Sequence, residues 1–115
     1  MSGLLEILIE ERTAAANALM RVDDTPNYFQ STSGKAVRHR LLYAWGLEAG
    51  EEILLQLPKV EGADIGNDAH WMTMKVGGND VKLTSDDNHR AVYSAARIRV
   101  KKPSTTAAVG VAAIG

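Results

Sequence analysis

The chain has 115 residues, of which 45% are hydrophobic and 23% charged, and its thirteen basic and fourteen acidic side chains leave a formal net charge of −1. This composition is typical of one globular domain and excludes an intrinsically disordered chain. The even mixture of charges argues against a nucleic-acid-binding protein, because no basic block follows a phosphate backbone. The lack of cysteine excludes disulfides, thiolate zinc sites and thiol nucleophiles.

The first residues do not have the pattern of a secretory leader. The run Met1 to Leu5 carries no basic side chain, and Glu6 interrupts its apolar stretch. No stretch reaches the ~18 apolar residues that a transmembrane helix requires. We therefore expect a soluble protein that is made in a cytoplasm, with no signal peptide and no membrane span.

The amino-terminal residues 1–24 fit two kinds of structure. One helical stripe would hold the apolar side chains Leu4, Leu8, Ala15, Leu19 and Val22. In the other reading Leu5, Ile7 and Ile9 share one face of a strand, which we favour because the chain downstream is β-like. The segment is also apolar enough to be an arm that orders against a partner. We therefore predict residues 1–24 to be an arm, with a short helix as one form of it, or the first strands, and residues 25–115 to be the main domain.

A break follows at Asp23–Asn27, where proline and its polar neighbours favour a turn. The next predicted strand, Val37–Trp45, has one polar face at its start and two apolar faces near its end, so we expect both faces to be buried there. A tight connection at Gly46–Gly50 leads to a strand over Glu51–Leu57, which Pro58 ends. An irregular, acidic and glycine-rich loop is then predicted at Glu61–Asp68.

The last third of the chain alternates short apolar runs with turn residues. The runs are His70–Val76, Asp80–Thr84, Arg90–Tyr93, Arg97–Lys101 and Ala107–Ile114. Gly77-Gly78-Asn79 is typical of a hairpin, because these residues adopt the positive φ that its turn needs. The regular spacing of short strands and turns predicts an all-β antiparallel sandwich, jelly-roll-like in topology, with seven or eight strands.

The sequence contains no recognisable catalytic or metal-binding pattern. His39, His70 and His89 lack the spacing of metal ligands, and Ser85–Asn88 is explained by a polar β-turn rather than a calcium loop. No serine lies in a nucleophile motif. The paired acids Glu51-Glu52 are chain neighbours, which a strand directs to opposite faces. We therefore predict a protein that packs and binds, with no enzymatic activity, cofactor or metal.

The aromatic residues could form either core or a ligand platform. The candidates for a platform are Tyr43, Trp45, Trp71 and Tyr93, but three of the four lie within or beside apolar alternation, which favours packing in the core. Tyr28 and Phe29 instead lie in a polar loop, where two large rings are typical of an interface anchor. Together with the apolar amino-terminal run, they give the predicted partner-contact residues: Leu4, Leu5, Ile7, Ile9, Tyr28 and Phe29.

Several segments resemble a known family of virion proteins. They are Val81–Asn88, Ala96–Lys102, Ala108–Val111, Gly46–Glu51 and Leu55-Gln56, over roughly residues 35–114. In their order they are similar to the small head decoration or cement proteins of tailed bacteriophages, and related β-modules occur in phage tail appendages.

The resemblance implies a function in the virion. The chain would be a dimer or trimer on the outer capsid surface that staples neighbouring major capsid protein subunits, assembled in the host cytoplasm. The alternative is a receptor- or carbohydrate-binding module of a tail appendage, with an exposed patch from Tyr28, Phe29, Trp71 or the 61–68 loop. Neither function requires a cofactor, nucleic acid or membrane.

Overall fold

A computed structural model describes residues 5–20, 39–93 and 97–114, which form an antiparallel β-sandwich. No α-helix occurs in these residues, and one 3-10 turn spans Asp68–His70. The strands are β1 (Leu5–Arg12), β2 (Ala16–Met20), β3 (His39–Trp45), β4 (Ile53–Pro58), β5 (Trp71–Thr73), β6 (Lys75–Val76), β7 (Asn79–Asp80), β8 (Lys82–Leu83), β9 (His89–Tyr93), β10 (Ile98–Lys102) and β11 (Val109–Ile114).

The strands form two main sheets and a small hairpin. The four-stranded sheet has the order β1-β11-β3-β9. The five-stranded sheet has the order β2-β10-β4-β5, and β8 also pairs with β4. Every pairing in the described residues is antiparallel, and β6 pairs with β7. The all-β prediction is therefore confirmed.

The core lies between the two main sheets. The strands of these sheets contribute side chains to it from one face, because successive residues of a strand point to opposite faces. The buried aliphatic residues of the four-stranded sheet are Ile9, Leu42, Ala44, Val92, Val109, Val111 and Ala113. Those of the five-stranded sheet include Met20, Ile53, Leu55, Leu83, Ile98 and Val100.

The described part of the amino-terminal segment is integral to the sandwich. β1 pairs with β11 in one sheet, and β2 pairs with β10 in the other. Thr13 in the turn between them accepts a hydrogen bond from the backbone N–H of Thr105 at 2.9 Å. Residues 5–20 are therefore strands of the domain, as the favoured interpretation predicts, and this part of the chain contains no helix.

Two predicted turns are confirmed. Gly77 and Gly78 have φ of 61° and 86° between β6 and β7, the left-handed backbone that glycine adopts without strain. In the polar turn after β8, the N–H of Asp87 donates to Thr84 Oγ1 and the N–H of Thr84 donates to the carbonyl of Asp87.

Candidate functional site

The outer face of the four-stranded sheet is apolar and open. Leu5, Ile7 and Leu41 keep 60%, 43% and 38% of their surface exposed. The strand register brings Leu5 and Leu41 together, because both pair with Ile114, and it places Ile7 in the next row, opposite Ala112. We call this group the aliphatic end of the outer face.

A β-bulge decides which side chains of β1 reach that face. Ile7 lies opposite Ala112 and Ile9 lies opposite Val111. The chain therefore advances by two residues along β1 but by only one residue along β11. The extra residue, Leu8, reverses the alternation. Ile7 consequently faces outward, whereas Ile9 is 3% exposed in the core.

The predicted contact residues lie in different environments. Leu5 and Ile7 lie on the exposed outer face, as a contact surface requires. The predicted role of Ile9 is corrected, because this side chain is buried between the sheets and has no surface to offer a partner. Leu4, Tyr28 and Phe29 lie outside the described residues.

Two aromatic rings occupy the other end of the same face, which we call the aromatic end. Tyr43 and Trp45 are two residues apart on β3, and their ring centroids lie 6.0 Å apart with planes tilted by 41°. Both are partly exposed. The Trp45 Nε1–H donates to Glu11 Oε2 at 2.6 Å. The prediction that both faces of β3 are buried near Trp45 is therefore wrong: Leu42 and Ala44 point inward and the rings outward.

Trp71, by contrast, is a core-like residue on the opposite side of the molecule. It is 4% exposed, and its Nε1–H donates to the carbonyl of Asp64 at 2.8 Å. The guanidinium of Arg99 lies 5.4 Å from its ring centroid. Trp71 therefore presents no ring face to a ligand, as the packing interpretation predicts.

The irregular loop of residues 59–70 is fastened over the five-stranded sheet by Arg99. This side chain is 0% exposed and donates from Nε to Gln56 Oε1 at 2.8 Å, from Nη1 to the Ile65 carbonyl at 2.7 Å and from Nη2 to Asp68 Oδ1 at 2.7 Å. Lys101 Nζ donates to Asp68 Oδ2 at 3.1 Å. Hydrogen bonds from Arg99 and Lys101 hold the pKa of Asp68 below its ordinary value.

Lys102 closes the end of the sandwich near the β1–β2 turn. Its buried Nζ donates to the carbonyls of Ala14 and Pro103 at 2.8 Å and 3.0 Å, and to Thr105 Oγ1 at 3.2 Å. Burial lowers the pKa of Lys102, because the charged form loses hydration there. This cation joins the turn after β1 to the connection before β11, so it serves the fold.

The remaining polar groups form no metal site in the described residues. No group of three or more histidines and carboxylates is close enough there to hold an ion. His70 Nδ1 accepts a hydrogen bond from the Asp64 N–H at 3.0 Å, and His89 contacts Asn88. Among the described residues there is also no helix with the length and apolar character needed to span a bilayer.

Comparisons with protein-family models, with curated proteins and with solved structures give no match for this chain.

Proposed function

We propose that this protein is a capsid decoration protein, a non-catalytic subunit that binds the outer surface of a bacteriophage head and joins neighbouring major capsid protein subunits. One observation carries the proposal, the open aliphatic end of the four-stranded sheet at Leu5, Ile7 and Leu41. Adjacent exposed aliphatic side chains are unfavourable in water and are typical of a surface that a partner covers.

Buried side-chain contacts fix the strands of this face, so it can bind a partner without a change in backbone conformation. Arg40, buried under the outer face, donates from Nη1 to Glu6 Oε1 at 2.9 Å, and Lys102 closes the opposite end of the sandwich. The face is therefore presented by strands that are fixed on their inner side. A preorganised surface loses little conformational entropy when it binds.

The size of the face favours repeated weak contacts. Four strands about 4.8 Å apart, with three rows of side chains, span on the order of 400 Å². A stable pairwise complex buries ~800 Å² per partner. One such contact is weak, but many copies on a lattice, or a dimer or trimer with several faces, gain affinity through multivalency. The resemblance over residues 35–114 supports a phage head as that lattice.

The experiment that tests the proposal is an add-back assay. Heads are produced from the genome that encodes this chain, with its reading frame deleted, and purified protein is then added. Ile7→Ser removes an outward aliphatic side chain, and Val76→Ser is the matched control because Val76 is 69% exposed on the separate β6–β7 hairpin.

We expect wild type and the Val76→Ser variant to bind heads at a copy number fixed by the lattice, and Ile7→Ser to bind at least tenfold more weakly with an unchanged melting temperature. Wild-type protein that does not bind heads would refute the proposal. Binding to isolated tails instead would favour the tail-appendage alternative.

A further inference from the structure

The ring of Trp45 packs directly against the backbone of the sheet at Gly110. A Cβ atom built on Gly110 would lie 2.3 Å from Trp45 Cζ2 and 2.7 Å from Cε2, so the indole occupies the space that a side chain would take. Glycine inside a strand lowers stability, and it is often found where another group approaches the backbone closely. One side of the indole is thus packed on β11, while the residue remains partly exposed at the surface.

A carboxylate is held at the edge of this ring. Glu11 Oε2 accepts the indole N–H at 2.6 Å, which fixes both the ring plane and the carboxylate. Glu11 is exposed, so its carboxylate can accept hydrogen bonds from a ligand lying on the ring. Hydroxyl donors are the simplest partners for an acceptor in this position.

The two rings form a platform rather than a cage. Tyr43 and Trp45 project from one strand face, side by side, with centroids 6.0 Å apart. A cage for an ammonium group needs ring faces that surround the cation. Single-stranded nucleic acid would bring phosphates next to Glu11, which would repel them. A neutral ring with apolar C–H groups on one face and hydroxyls at its edge matches both the aromatic surface and the carboxylate.

From these features we infer that the aromatic end of the outer face, formed by Tyr43, Trp45 and Glu11, binds a sugar ring of a glycan. The C–H face of the sugar packs on the indole, and a hydroxyl donates to the Glu11 carboxylate. Exposed His89 lies directly across the strands from Tyr43 and adds a polar group beside the platform. The residues of this site differ from Leu5, Ile7 and Leu41, but both groups lie on the same outer face, where Ile7 and Tyr43 flank Ala112. A glycan and a capsid would therefore compete for this face, and glycan binding is tested on the free protein.

The test uses the indole N–H signals in ¹H–¹⁵N spectra of the intact chain. The protein has two tryptophans, so it gives two such signals, and Trp45→Phe assigns them. A glycan array of bacterial and plant oligosaccharides selects candidates, which are titrated beside maltohexaose, cellohexaose and chitohexaose. We expect at least one glycan to shift the Trp45 signal saturably and to leave the Trp71 signal in place.

Variants then separate binding from packing. Glu11→Gln and Trp45→Ala should each raise the dissociation constant at least tenfold. Glu10→Gln, a neighbouring exposed carboxylate, and Leu5→Ser, at the aliphatic end, should leave it within twofold. The inference is overturned if no array glycan or titrated oligosaccharide shifts the Trp45 signal, or if Glu11→Gln binds as wild type does. Either result would mean that Trp45 packs against Gly110 and does not bind a glycan.

Discussion

Gly110 and Trp45 form one packing unit on the outer face, because the indole occupies the space that a side chain at position 110 would need. Gly110→Ala would place a methyl group 2.3 Å from the indole and force the ring to move. We expect this change to lower the free energy of unfolding by about 1–3 kcal/mol, the usual cost of overpacking. In a Trp45→Ala background the same change should cost much less, because the space is vacant.

Urea unfolding of the two single variants and the double variant measures this coupling. Gly66→Ala is the control, because only Asp64 Oδ1, at 3.8 Å, lies near its added Cβ. Equal costs of Gly110→Ala in both backgrounds would show that Trp45 does not occupy this place.

Arg99 should contribute more to stability than its neighbour Lys101, although both contact Asp68. Arg99→Met leaves the buried Gln56 amide and the Ile65 carbonyl without their donor. We expect a loss of about 1–3 kcal/mol in the free energy of unfolding and faster amide exchange across residues 59–70. Lys101→Met removes only a partly exposed ion pair, so its effect should stay below ~1 kcal/mol. Equal effects of the two substitutions would contradict the fastening role of Arg99.

Lys102 predicts a pH dependence with a definite sign. Its pKa is lowered by burial, so the unfolded chain holds this proton to higher pH than the folded chain does. Its contribution to stability therefore rises with pH, from the lowered pKa up to the ordinary lysine pKa of about 10.4. In urea unfolding, the free energy of unfolding of the wild type should rise relative to that of Lys102→Met as the pH approaches that value. A constant difference between the two proteins across this range would contradict the assignment.

At the scale of single elements, β1 carries both the core and the outer face because of its bulge. Two isoleucines, Ile7 and Ile9, provide a matched test of this arrangement. Ile9→Ala should lower the free energy of unfolding by about 2–5 kcal/mol, because it empties core volume. Ile7→Ala, on the exposed side, should change it by less than ~0.5 kcal/mol.

Denaturant unfolding of the two variants is the measurement. Similar losses for both would mean that the alternation of β1 is unbroken and that the two side chains share a face.

The sequence predicts the strands well, because they depend on local pattern. The predicted runs Arg97–Lys101 and Ala107–Ile114 match β10 and β11 to within two residues. The bulge at Leu8 could not be predicted, because it is defined by the register against β11, which is distant in the chain. The division of the predicted run His70–Val76 into β5 and β6 likewise depends on different partners for its two parts.

At the scale of the whole molecule, the two outer faces of the sandwich differ in what covers them. Residues 59–70 lie over the five-stranded sheet and bury the polar groups around Arg99. The aliphatic end of the four-stranded sheet is exposed at Leu5, Ile7 and Leu41. In the described residues, the loop thus covers part of the five-stranded sheet, whereas the aliphatic end of the four-stranded sheet is open.

The same asymmetry explains which parts of the site the sequence could predict. Leu5 and Ile7 are recognisable as an apolar run near the start of the chain. Tyr43 and Trp45 resemble core residues, because aromatic alternation looks the same on either face of a strand. Only the pairing of β3 with β11 shows that Ala44 faces the core and Trp45 the solvent.

Cryo-electron microscopy of particles produced from the genome that encodes this chain would show whether the protein decorates a capsid. We expect copies of the sandwich on the outer shell, above the seams between capsid subunits, with Leu5 and Ile7 of the four-stranded sheet against the shell. Particles that lack the chain, or copies attached through residues 59–70 with Leu5 and Ile7 facing solvent, would contradict the proposal.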